Sequence, residues 1–155
     1  MKILLAVDGS TFSDAAVEQI ASRPWPEGTE VSVISVAELP AYPMGEAAAL
    51  PNSYYEQLEK IGQERARAAV DEAIERLRRG TSSLRITDSV VAGHPVQEIV
   101  NRADEWGADL VVVGSHGYRG FKRLLLGSVS QAVASHAKCS VEIVRRKLTA
   151  PDSHD

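Results

Sequence analysis

Apolar residues in this chain gather into short blocks separated by stretches of longer period, and the two patterns alternate from one end to the other. Ile3 to Val7 is a continuous apolar run; Val31 to Val36 alternates at Val31 and Val33 before turning apolar around Ile34; Leu110 to Val113 and Val141 to Val144 repeat the short block. Strands read this way when helices cover both faces of a parallel sheet, because neither face is left for water. Leu84 to Ala92 differs. It interleaves apolar residues with Arg85, Thr87 and Ser89 before ending Val90-Val91-Ala92, the pattern of a partly exposed strand.

Between these blocks the apolar spacing is helical. Thr11-x-x-Asp14 has the form of a capping box and opens a helix on Ala15, Ala16, Val17 and Ile20 that Pro24 stops. Ser53-x-x-Glu56 is a second such box, followed by the longest helix, on Ala66, Ala69, Val70, Ala73, Ile74 and Leu77 up to Gly80. Glu72 with Arg76 and Glu75 with Arg79 then mark a solvated face, each pair worth only ~0.2 to 0.5 kcal/mol. Pro95 suits a first helical position, with Ile99, Val100 and Ala103 facing inward and Gly107 ending the helix. A last helix runs from Gly127-Ser128 through Ala137 on Val129, Ala132, Val133 and His136. Strand and helix alternating throughout predict an α/β fold with right-handed crossovers, a five-stranded parallel sheet and helices on both faces.

The 155 residues fit one domain, expected over residues 1–147, with 148–155 as a flexible polar tail. Leu39 to Pro51 holds three prolines and a glycine and reads as a long irregular loop without an assigned role. A single cysteine, Cys139, excludes an internal disulfide and Cys-based zinc coordination and fits a reducing, cytoplasmic setting. No apolar run approaches the ~18 residues of a membrane span, so no membrane role is expected. A net charge of −4 argues against nucleic acid as a partner, which normally requires a basic footprint.

That charge is unevenly spread, and the unevenness points to a site. Leu110 to Val141 contains no Asp or Glu, where an even spread would put about four, yet carries Arg119, Lys122, Arg123 and Lys138. Within it lies the loop after the fourth strand, with Gly114, Gly117, Gly120 and Gly127, four of the chain's 11 glycines. Ligands of open α/β sheets bind beyond the carboxyl ends of the strands, where the winding reverses. Glycines there let backbone N–H groups approach an anion and allow positive φ. The helix opening at Gly127 adds unpaired N–H groups and two hydroxyls, Ser128 and Ser130, which predicts a phosphate cradle. One helix dipole contributes only ~0.3 to 1 kcal/mol, and micromolar affinity needs about 8.2 kcal/mol. A phosphate together with a flat apolar group is therefore required, and a nucleotide supplies both.

Neither G-x-x-x-x-G-K-[ST] nor G-x-G occurs, which removes the Walker and dinucleotide fingerprints. The pattern present is Gly114-x2-Gly117-x9-Gly127-Ser128. It resembles the ATP-binding signature of the universal stress protein family. The likeness extends to the opening strand ending in Asp8, the Gly93-x-Pro95 helix entry and the Leu125-Leu126-Gly127-Ser128-Val129 helix start. The resemblance implies strand order 3-2-1-4-5, a Rossmann-like sheet with strands one and four adjacent and Asp8 facing the glycine loop. It further implies adenine between Ala6 and Val36, Asp8 near the nucleoside, phosphates on Gly117, Gly127, Ser128, Val129 and Ser130, and Gly114 permitting close approach. The cofactor implied is ATP, or ADP or AMP, with Mg²⁺ held through Asp8 or water. The oligomer implied is a homodimer through Val141 to Val144.

Function then reads as a nucleotide-binding regulator in the stress response. Two alternatives stay open: a slow ATPase or adenylyl-transferring enzyme, and a dimeric module that binds partner proteins without nucleotide. No catalytic residue is assigned, because no base, acid pair or arginine finger is recognisable. His116 is expected to cap backbone groups, His94 to mark a helix entry, and Cys139 to be a small residue near the final strand. Arg119, Lys122 and Arg123 either neutralise phosphate or face water. The histidines at 94, 116, 136 and 154 lack metal-ligand spacing, so no metal ligand is assigned.

Overall fold

The computed structural model describes residues 1–39, 51–81, 83–117 and 126–146. The 39–51 loop (apart from its end residues), Gly120 and the basic residues Arg119, Lys122 and Arg123, and the 148–155 tail lie outside the described residues.

The elements run β1 (Lys2–Ala6), α1 (Thr11–Ser22), β2 (Glu30–Glu38), α2 (Asn52–Gly80), β3 (Arg85–Gly93), α3 (Pro95–Trp106), β4 (Leu110–Gly114), α4 (Ser128–His136) and β5 (Ser140–Val144). All neighbouring strands pair parallel in the order β3-β2-β1-β4-β5, as expected. Successive residues of each central strand feed opposite cores. Ile3 and Leu5 pack with Val17, Ile20, Val70 and Leu77 under α1 and α2. Leu4, Ile34, Val111 and Val113 pack with Ile99, Ala103 and Val133 under α3 and α4. This two-sided burial is why β1 and β4 are written as unbroken apolar runs. β3, at the sheet edge, is exposed at Arg85, Thr87, Asp88 and Ala92, as its interrupted pattern predicts.

Three local expectations are corrected. Ser10, not Thr11, caps α1: it holds extended backbone and its hydroxyl oxygen accepts from the Ser13 N–H at 3.2 Å. A cap bonds the N–H three residues ahead, and only Ser10 stands before the first helical residue. Asp14 is thereby moved one position inward, where it faces Arg76 of α2 at 3.5 Å. α2 starts one residue before Ser53, with Pro51 in the cap position and no side-chain cap bond. Pro51 supplies a fixed φ and its carbonyl accepts from the Tyr54 N–H at 2.9 Å, so the first turn forms without the serine box. His136, placed on the inner face of the last helix from its spacing, is exposed and bonds back to the Ala132 carbonyl through Nδ1 at 2.7 Å. The pairs Glu72–Arg76 and Glu75–Arg79 both form. Arg76 also reaches Asp14 and Glu18, so this face joins α2 to α1 as well as meeting solvent.

Candidate functional site

The winding reverses between β1, whose chain crosses to β2, and β4, which lies on its other side. Both strands end beside the same crevice. The β1–α1 turn enters from one side. Asp8 is exposed there, and its Oδ1 accepts from the Ser10 N–H at 3.0 Å, while Gly9 takes φ +75°, a conformation that disfavours any side chain. This Asx-type turn sets the carboxylate at the mouth of the crevice while the chain reverses into α1.

The β4–α4 loop enters from the other side and is anchored through Ser115. Its N–H donates to the Val144 carbonyl at 2.8 Å, and its own carbonyl accepts from the Gly127 N–H at 2.7 Å and from the Ser130 hydroxyl at 3.0 Å. One residue thus ties β5, the glycine turn and the start of α4 together. Ser115 lies inside the Gly114-x2-Gly117 spacing, but its role is not readable from the sequence, because a backbone carbonyl carries no signature. The Ser115 hydroxyl also meets His116 Nδ1 at 3.2 Å, and the His116 ring lies 5.0 Å from that of Phe12, bridging the two turns.

The glycines are explained by close approach, not by positive φ, which Gly114, Gly117 and Gly127 do not adopt. A Cβ at Gly114 would stand 2.6 Å from the Phe12 carbonyl carbon and 2.9 Å from the Ser13 nitrogen. Gly114 therefore admits the first turn of α1. A Cβ at Gly127 would stand 3.1 Å from the His116 Cα and 3.2 Å from the Ser115 oxygen, and one at Gly117 3.0 Å from Asp8 Oδ2. That last distance brings Asp8 and the glycine loop together across the crevice.

The other expected residues fall around the same point. Ala6 ends β1 and pairs with Ile34, so Val36, two residues further on, projects past the end of β1. Both are half-buried. Ser128, Val129 and Ser130 form the first turn of α4, and the first helical bond runs from the Gln131 N–H to the Gly127 carbonyl. The N–H groups of residues 128 to 130 consequently have no acceptor inside the helix. Ser128 is exposed. Ser130 is 3% exposed and its hydroxyl donates inward, to the carbonyls of Ser115 and Gly127. Its side chain therefore buttresses the loop, and only its backbone N–H is turned to the helix mouth.

Charge follows the sequence. Asp8 is the carboxylate at the crevice, and Asp14 lies near enough to feel it: burial pushes the Asp14 carboxyl up, Arg76 pulls it back, and Glu72, Glu18 and Asp8 add to the rise. Burial also pushes the half-buried Cys139 thiol up, away from thiolate chemistry. Among the described residues no three His, Cys, Asp or Glu side chains gather as a metal would need, and no helix is long and apolar enough to cross a membrane.

Known proteins agree with this architecture over almost the whole chain. The sequence is 30% identical to the universal stress protein YxiE of Bacillus subtilis, covering 93% of this chain and 98% of that protein. The solved structure of protein MJ0577, from Methanocaldococcus jannaschii, superposes with a TM-score of 0.80 at 26% identity, covering 96% of this chain and 97% of that one. A universal stress protein solved in complex with cAMP superposes at 0.62 and 27% identity, over 93% and 95% of the two chains. Residues 1–145 match the universal stress protein family, and the chain belongs to it.

Proposed function

We propose that this protein is an adenine-nucleotide-binding regulator that holds ATP, or its product ADP or AMP, at the crevice between β1 and β4. The observation that carries the reading is the α4 entrance. Three helix-terminal N–H groups open opposite Asp8, in a loop where a Cβ at Gly127 would press on backbone and one at Gly117 on the Asp8 carboxylate. A triphosphate supplies the acceptors those N–H groups lack. A relative of 27% identity solved with cAMP bound makes adenine the natural base. The half-buried apolar ends at Ala6 and Val36 fit a flat ring. Phosphates would rest against Gly117 and Gly127 and on the backbone N–H groups of Ser128, Val129 and Ser130, the Gly127 N–H being held by the Ser115 carbonyl, with the exposed Ser128 hydroxyl as an added donor. Asp8, an acceptor, suits ribose hydroxyls or a hydrated Mg²⁺ and would repel a bare phosphate. When bound, the ion supplies charge neutralisation.

The same reading makes β5 the dimer strand. Among the described strands it pairs with β4 alone, and its Val144 carbonyl holds the Ser115 anchor, so a homodimer through residues 141–144 would lie one hydrogen bond from the site. The domain is taken to end at residue 147, in a cytoplasmic, reducing setting.

The test is to denature freshly purified protein, identify any released nucleotide by chromatography and mass, and titrate the emptied protein with ATP, ADP and AMP in Mg²⁺. Gly127→Val should weaken ATP at least tenfold while the circular dichroism spectrum is kept, because its branched side chain pushes on the backbone of residues 115 and 116. Equal affinity in the two proteins would sink the site.

A further inference from the structure

A second set of polar groups lies away from this crevice, on the face of the sheet under α3. Ser32 is completely buried in β2 and its hydroxyl has no hydrogen-bond partner; the hydroxyl of Ser89 in β3 and the Nε–H of Arg102 in α3 are likewise buried and unpartnered. An unmatched buried polar group costs about 1 to 3 kcal/mol, so three in one layer call for an explanation.

The register puts the two hydroxyls side by side. Ser32 and Ser89 stand two residues before Ile34 and Val91, both of which pack in the core under α3, so all four share that face. β2 and β3 pair Ser32 with Thr87 and Ile34 with Ser89, which makes the two serines diagonal neighbours. Arg102 is brought to the same height by α3. At one end of this helix the Glu98 carboxylate lies 2.7 Å from where a Cβ of Gly93 would stand, beside the end of β3. At the other end the Trp106 carbonyl accepts from Lys2 Nζ at 3.1 Å, at the amino end of the central strand β1. Arg102 falls one turn from each, on the flank it shares with Glu98, hence at mid-strand level on the β3 side.

Arg102 is half-buried, and among the described residues no carboxylate lies within ion-pair distance of it, although Glu98 and Glu105 are on the same helix. A guanidinium is always charged and only donates; a serine hydroxyl donates once. The hydroxyls can accept as well, but nothing in the set carries negative charge to match the guanidinium.

We propose that the layer between α3 and β3 binds a small oxyanion, a phosphate or a carboxylate, through the Arg102 guanidinium and the hydroxyls of Ser32 and Ser89. Such a group accepts from all three donors at once and neutralises the arginine, whereas a water has two lone pairs and no charge. Entry is past the exposed part of Arg102 at the β3 edge, where Thr87 is also exposed.

The test is a titration followed by ¹H–¹⁵N spectra that include the arginine Nε–H, using sodium phosphate, sodium acetate and sodium chloride at matched ionic strength. Phosphate or acetate should shift the Arg102 Nε–H and the amides of Ser32 and Ser89 along one saturating curve, and whichever saturates first identifies the source. Ser32→Ala with Ser89→Ala should weaken that curve at least tenfold, and Arg102→Gln, at a half-exposed position, should abolish it with the fold retained. Gly127→Val protein should keep the Arg102 response, so this site and the nucleotide site stand or fall separately. Shifts that never saturate, that are equal with chloride, or that are confined to residues 127–130 would overturn the proposal.

Discussion

The crevice between β1 and β4 and the flank between α2 and β3 are built from opposite materials. At the crevice the contacts are backbone against backbone: Gly114 against residues 12 and 13, Gly127 against 115 and 116, and the Ser115 carbonyl holding two donors. On the flank they are long side chains. Arg67 donates to Asp71 and Asp88, whose carboxylates hold its guanidinium in the charged form, and a groove of about 650 Å³ runs beside it between α2 and β3. This groove thus lies where the charges are already matched, whereas the crevice offers helix-terminal donors without an internal acceptor. Depth alone does not mark a binding site; unmatched polar groups in a fixed geometry do. Exposed ion pairs such as those of Arg67 are also weak, since each side chain gives up entropy to hold a bond that water nearly replaces.

The sharpest way to break this contrast is Gly114→Ala. One methyl group meets backbone at 2.6 Å, so either α1 or β4 must move, and destabilisation of about 1 to 3 kcal/mol is expected in chemical denaturation. An unchanged midpoint would mean that the close approach is not rigid. Next come the two serines of the α4 entrance. Ser130→Ala removes a buried donor to two carbonyls and should cost about 1 to 3 kcal/mol of stability. Ser128→Ala, at an exposed position, should leave stability alone and weaken ATP more than adenosine. Titration calorimetry on both variants separates the roles, and equal losses for ATP and adenosine in the Ser128 variant would remove its hydroxyl from the phosphate site. The smallest effect belongs to the flank: Arg67→Ala should leave both the denaturation midpoint and nucleotide affinity close to the parent protein. A large loss of affinity there would transfer the functional reading from the crevice to the groove.

Much of this was legible in the chain. The apolar blocks located all five strands to within two residues of their ends, since a strand buried on both faces has no other way to be written. The glycine spacing located the loop that enters the crevice beside Asp8. Strand order came from family likeness, because hydrophobic period says which residues are buried but not which strand lies beside which. The starts of α3 and α4 were read as they stand, whereas the cap of α1 was read one residue late and that of α2 two. A capping box names residue types, while the actual cap is whichever group stands before the first helical φ, and Ser10 and Pro51 reached that position first.

The sequence by itself determined the layers, the small residues and the place of the donor-rich helix entrance, all consequences of local period and backbone freedom. Tertiary structure alone decided what each small residue is for. Gly114 makes room for α1 because the chain crosses over and returns beside β4, and Ser130 turns inward because Ser115, fifteen residues earlier, presents a carbonyl to it. Likewise Ser32, Ser89 and Arg102 come from three separate elements, and only the sheet register and the packing of α3 bring them into one layer. Such contacts depend on which segments meet, and no local pattern records that.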